Sequence, residues 1–521
     1  MHRGGHPLAN RRPVVAIGFD AVEGAVVARL MAAGRLPHLA ALLRRGAKGP
    51  VAPWPAGLQT MVWPTFFTGQ RPGVHGWYYG KMWRPDRMRL DYADPGWLPQ
   101  RPFWDLLPKE LELCLVDIPF APAPRASFNG LFLNGWQTHD DTDHDEWPKG
   151  LRAGLSARYG RRILGREDFG PQDAARLRKT RDGSLAATRQ IGSIVADLVR
   201  ERRFDLCVLV LGAAHRAGHY LWDLSQLGPD RGTHPELESA VDEVYVESDR
   251  ALGRIIEALP PDAIVLAFAL HGMGPETGWW EQFPRILAAI EGAGAPSPGG
   301  SGLLYRAKSA ISQRIVRNVT HLMPNALNQA IVPLWSRHMH DWSRVRAFAL
   351  PGDIGGFVRI NLAGREAEGV VQPGAEYDDL CTAISEGLLS FRTDDDRPVV
   401  QGVDRIDGLD GAEGPRRHLL PDLIVHWAPI RAFDLSGVRS PRHGEVRWEK
   451  GRPPPSGRSG NHLESGWFIA AGPGIEPGSD AGTRETVDLT ATLFSWLGLD
   501  VPAALQGRPI AALVSGARPA P

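Results

Sequence analysis

The chain has 521 residues, 43% hydrophobic and 23% charged, which suits one large α/β domain or two smaller ones and excludes a chain too polar to fold. Fifty-nine basic residues balance fifty-nine acidic ones, so no global field favours nucleic acid or an anionic membrane surface. Three cysteines spread along the sequence, Cys114, Cys207 and Cys381, argue against a disulfide framework and a cysteine zinc cage; with no run near 18 apolar residues and no apolar leader after Met1, a cytoplasmic protein is expected.

In chain order, a flexible N-terminus over 1–12 precedes an apolar strand, Val14–Phe19, which delivers Asp20. Residues 25–45 repeat apolar positions at helical spacing and are broken by Gly34-Arg35-Leu36-Pro37, giving one or two helices. Further strands are expected at 112–116, 130–133, 206–211, 263–269, 423–427 and 467–471, alternating with helical segments as in a mostly parallel sheet with crossover helices. Residues 84–101 read as a surface excursion. From 276 to 344 the pattern changes to amphipathic helical stretches interrupted by a Gly/Pro/Ser segment, which reads as an inserted helical cap. The α/β domain is thus expected over 13–275 and 345–512, with a tail at 513–521.

The run 206–211 is apolar throughout, as in a strand covered on both faces, with Cys207 in the core, and it stops before His215 and His219. On a following helix these two share one face, the spacing by which two imidazoles reach one zinc ion. His2 and His6 repeat the spacing by chance, so the pair alone is weak, but His271, His462 and Asp20 also lie beside strand-like runs, and Asp20 ends the first strand, at the edge where open α/β sheets bind ligands. Each has a plain structural alternative: Asp20 as a turn or cap, either histidine as a core residue. Thr60 follows a Pro/Gly loop at an expected helix start, which suits an anion as well as an ordinary N-cap. The acidic run 139–146 reads first as a solvated loop, and Asn461 and Glu464 as groups that orient His462.

Five separated segments resemble the alkaline phosphatase superfamily, in particular its type I phosphodiesterase/nucleotide pyrophosphatase branch. They are Phe19-Asp20 with Gly34-Arg35-Leu36-Pro37-His38-Leu39; Trp63-Pro64-Thr65 through Thr68-Gly69 to His75-Gly76; His215 to His219 with Trp222; His271-Gly272-Met273; and His462 with Gly466-Trp467 through Gly472-Pro473-Gly474. The resemblance implies an alkaline phosphatase-like fold and a metal-dependent phosphoester hydrolase acting on a small phosphate ester. By it, His215, His219 and His462 hold one metal, and Asp20, Thr60, His271 and the residue at 270 hold a second. Thr60 is the nucleophile and passes through a phosphothreonine intermediate. The ion expected is Zn²⁺, with Mn²⁺ or another divalent ion as the alternative.

The departures are specific. The family commonly has Asp where this chain has His215 and Leu270. Three histidines complete a zinc site with an open position, whereas leucine cannot ligate, so one firm site is expected beside a weak or absent second. Matching Trp63 and Thr68-Gly69 to the family puts the nucleophile position on Gln59, one residue before Thr60. Gln59, Arg359 and Trp280 are the candidate substrate contacts, with Arg365 a further candidate phosphate contact. The alternatives are another hydrolase of the superfamily, acting on phosphomonoester, phosphonate or sulfate ester, or a non-catalytic member that binds a phosphate-containing ligand. A sulfatase is disfavoured because no cysteine lies in a Cys-x-Pro-x-Arg context.

Overall fold

A computed structural model describes residues 11–52, 57–58, 62–125, 127–137, 145–165, 167, 169–292, 336–337, 340–451 and 456–514. Its centre is a nine-stranded sheet in the order Arg484–Glu485, Gly46–Ala52, Gly466–Ala471, Ile264–Ala269, Val14–Phe19, Leu206–Leu211, Leu113–Val116, Gly130–Leu133, Glu146–Trp147. Seven strands run the same way, and Gly466–Ala471 and Glu146–Trp147 run against them.

The central strands read as unbroken apolar runs because both faces are covered. Alternate residues enter two cores. Val15, Ile17, Phe19, Cys207 and Leu209 face one, walled by the helices Ala174–Glu201, Ala213–Leu221 and Ala240–Ala258. Val14, Ala16, Val208, Val210 and Phe268 face the other, beneath the helices Val62–Thr68 and Thr486–Trp496. Residues 25–45 form two helices, Gly24–Ala32 and Pro37–Arg44, with Gly34 at φ 70° in the break between them. Among the described residues no single helix is long and apolar enough to cross a membrane.

A second, four-stranded antiparallel sheet, ordered Ala347–Leu350, Gly356–Ile360, Leu423–Trp427, Val400–Arg405, has its own core. Leu423–Trp427, expected beside the parallel strands, therefore belongs to this sheet. Its burial pattern, three buried residues then two half-buried, gave no means of assigning it to either. The helix Trp279–Glu291, first of the segment expected as a cap, packs on this sheet with Ala375–Leu389 through Trp279, Phe283, Ile384 and Leu388. Residues 293–335 of that segment lie outside the described residues.

Residues 84–101 are not the surface excursion their charge suggested. The hairpin Lys81–Arg84/Arg89–Tyr92 buries Trp83, Met88 and Leu90 against Phe348, Phe357 and Ile424. The arginines beside them ride on the apolar layer, which masks it in sequence. The cysteines also differ from their spacing in the chain, since Cys114 and Cys207 lie side by side in register on neighbouring strands, both buried and free.

Candidate metal centre

Chain direction explains how distant segments meet. The parallel strands Val14–Phe19, Leu206–Leu211 and Ile264–Ala269 deliver Asp20, the helix Ala213–Leu221, and Leu270-His271 at one sheet edge. Because Gly466–Ala471 is antiparallel, it begins at that edge, so His462 on the preceding strand Gly460–Leu463 arrives there too. That strand pairs with Gly272–Pro275, placing His462 opposite Met273.

His215, His219 and His462 are buried together, and they are the one group of three or more metal-donor side chains among the described residues. Their Nε2 atoms lie 2.9 Å (215–219), 3.0 Å (215–462) and 3.1 Å (219–462) apart. Two hydrogen bonds fix which nitrogens point inward. His219 Nδ1–H donates to the Gly460 carbonyl at 2.9 Å, and His215 Nδ1–H donates to Asp20 Oδ2 at 2.7 Å. In the neutral rings both Nε2 atoms then carry bare lone pairs. Burial first, then Arg458 and the neighbouring histidines, hold the His219 pKa well below the usual imidazole value, which opposes placing protons between the rings. With His462 Nε2 unprotonated as well, three lone pairs would face one another, an arrangement that a cation among them relieves. The spacing is close to the ~3.3 Å between two ligands ~2.05 Å from a tetrahedral zinc ion, so the donor set fits a divalent metal.

Asp20 is only 1% exposed. Its Oδ1 accepts from the Trp63 indole Nε1 at 2.9 Å, and His271 Nε2 stands 4.0 Å from the same oxygen. Gly18 makes room for that indole: a Cβ there would come within 2.7 Å of Trp63 Cη2. Burial lowers the His271 pKa to about 4, against the pull of Asp20. Leu270 is completely buried in the apolar cluster that contains Phe268 and Phe468.

The structure thus brings together Asp20, His215, His219, His271 and His462. Gln59 and Thr60, like most of the acidic run 139–146, lie outside the described residues. Trp63, three residues after Thr60 in sequence, bonds to Asp20 at the site, a contact with no local sequence signal. Arg359 corrects its expected role. It is fully buried, with its guanidinium bonded to Glu366 and to the carbonyls of Leu420 and His418, so its charge is spent within the small sheet. Arg365 is likewise tied to Asp422 and Glu366. Trp280 is 40% exposed on the helix Trp279–Glu291.

A polar layer, of which the sequence singled out only Asn461 and Glu464, adjoins the centre. Asn461 Oδ1 accepts from the His462 amide at 2.8 Å while its Nδ2 donates to the Asp353 carbonyl at 2.9 Å. Tyr79 Oη donates to the Asp353 carboxylate at 3.0 Å, and burial raises the nearby Glu276 to about 7. Glu464 faces His426, its Oε1 3.9 Å from that ring's Nδ1, rather than His462.

The α/β sheet, with three histidines gathered at the carboxyl edge of its strands, has an alkaline phosphatase-like fold. Wild-type alkaline phosphatase PafA has the same fold, with a TM-score of 0.52 and 14% identity over 97% of this chain and 99% of that one. Phosphonoacetate hydrolase from Sinorhizobium meliloti 1021 in complex with phosphonoformate gives 0.48, with 13% identity over 98% and 96%. An inactive variant of murine ectonucleotide pyrophosphatase/phosphodiesterase 5, in complex with AMP, gives 0.49, with 11% identity over 95% and 96%. No curated protein matches the chain in sequence. The model of the type I phosphodiesterase/nucleotide pyrophosphatase family matches residues 14–397, and the chain belongs to that family. It is a hydrolase of phosphoester bonds.

Proposed function

We propose that the chain is a metal-dependent phosphodiesterase using Thr60 as nucleophile on a small phosphate ester. The convergence of the His215, His219 and His462 Nε2 atoms within 3.1 Å of one another carries the reading. A divalent ion bound there would act as a Lewis acid on a phosphoryl oxygen. His219 and His215 hold their lone pairs inward through Gly460 and Asp20. Trp63, three residues after Thr60 in sequence, donates to Asp20 from the helix Val62–Thr68. Attack by the Thr60 hydroxyl forms a new P–O bond and breaks that to one alcohol, which leaves with the hydroxyl's proton; the phosphothreonine so formed still carries the other ester group, and water then cleaves it from Thr60. A diester is favoured because Leu270 removes the carboxylate that would complete a second site.

Purified protein, assayed with bis-p-nitrophenyl phosphate alongside metal analysis, tests this. Wild type should contain about one ion per chain and turn over. Thr60→Ala should keep the ion and lose at least about 10³-fold in kcat, as removing a nucleophile does. Turnover by Thr60→Ala at the wild-type rate would move the nucleophile elsewhere, with Gln59 unable to serve. A metal-free, inactive wild type would favour a non-catalytic phosphate-ligand-binding member, and preferential hydrolysis of a monoester, phosphonate or sulfate ester would favour the other hydrolases of the superfamily.

A further inference from the structure

We infer that Asp20 is a positioning residue for His215, not a ligand of a second ion, and that the centre is mononuclear; this rests on the three-histidine reading above. Three observations carry it. First, Asp20 Oδ2 accepts from His215 Nδ1–H at 2.7 Å, the arrangement in which a carboxylate fixes the tautomer and orientation of a metal-binding imidazole. Second, Oδ1 accepts from the Trp63 indole at 2.9 Å, so both carboxylate oxygens are held by neighbouring side chains. Third, Leu270 supplies no donor where the resemblance implies a carboxylate beside Asp20 and His271, which stand 4.0 Å apart.

The two unusual residues explain each other. A carboxylate at 215 would ligate without help. A histidine there needs an acceptor for Nδ1–H if Nε2 is to face the ion, and Asp20 is that acceptor. With the second ion gone, the buried Asp20 charge is balanced through the His215 ring it polarises. Asp20 thereby fixes the tautomer of His215 and restricts its rotation, which sets affinity for the one ion.

Competition against a chelator, with Zn²⁺ as the probe, tests this on the full chain. Wild type should bind one ion. Asp20→Asn should also bind one, about 10–100-fold more weakly. In a His215→Gln background, Asp20→Asn should change affinity less than about twofold, because its effect passes through the missing ring. Spectra of the Zn²⁺-loaded wild type labelled with ¹⁵N-histidine need no variant and should show His215 protonated at Nδ1 and bound through Nε2. Two ions in wild type, falling to one in Asp20→Asn with unchanged affinity for the remaining ion, would overturn the inference. So would His215 lacking a proton at Nδ1. Failure of the underlying reading looks different: His219→Ala would then bind Zn²⁺ as wild type does.

Discussion

His75 shows how a single buried side chain fixes a pH dependence away from the centre. Its Nδ1 accepts from the Trp77 amide at 3.1 Å, so the proton sits on Nε2, 3.0 Å from Thr65 Oγ1. Burial, then Arg416, lowers its pKa to about 3. Between pH ~6.5 and 3 the unfolded chain takes up a proton that the folded state refuses. The contribution is therefore complete above pH ~6.5 and is lost as pH falls toward 3, with a slope of up to ~1.36 kcal/mol per pH unit. His75→Gln, which retains a donor, should be less stable at pH 7 yet lose less on acidification. Urea unfolding from pH 7 to 4 checks this, and parallel slopes for the two proteins would refute it. At the same scale, His219→Ala removes one of three inward lone pairs and should weaken metal binding by at least about 100-fold, read by chelator competition. His219 was legible from its place after an apolar strand. Trp63 was not: its bond to Asp20 crosses 43 positions and no local pattern announces it.

The contact that matters most between elements is that of the helix Ala213–Leu221 with the strand Gly460–Leu463. Gly460 has no room for a side chain, since a Cβ would lie 2.1 Å from the Gly218 carbonyl oxygen and 2.9 Å from Trp222 Cβ. Its own carbonyl accepts from His219 Nδ1. Gly460→Ala must therefore push the strand off the helix, moving His462 from His215 and His219 together. A destabilisation of about 1–3 kcal/mol is expected, with metal affinity falling although no ligand is changed. Thermal unfolding and Zn²⁺ titration measure the two effects, and wild-type affinity in this variant would show that the backbone can yield there. The central strands were readable because burial on both faces leaves uninterrupted apolar runs. The hairpin Lys81–Arg84/Arg89–Tyr92 was hidden because arginines flank its buried Trp83 and Leu90. Sheet membership of Leu423–Trp427 was hidden because a five-residue run does not record its partner.

On the scale of the whole molecule, two large cores hold the central sheet without help from an ion. Chelation should then leave the far-ultraviolet circular dichroism nearly unchanged while lowering stability by the binding free energy. At free Zn²⁺ 100 times Kd the stabilisation is about 2.7 kcal/mol, so the unfolding temperature should rise with the logarithm of Zn²⁺ concentration. Collapse of the spectrum on chelation would mean that the ion holds the fold.

His462 follows His215 by 247 positions, and the whole small sheet is made between them. The family match ends at residue 397, before this last ligand. During synthesis the chain would therefore lay down the small sheet and most of the central one, though not its strands Gly466–Ala471 and Arg484–Glu485, before the three-histidine centre could exist. Metal loading would be among the last events in maturation. A product cut short just before His462 could retain the family signature and much of the sheet yet never acquire the ion.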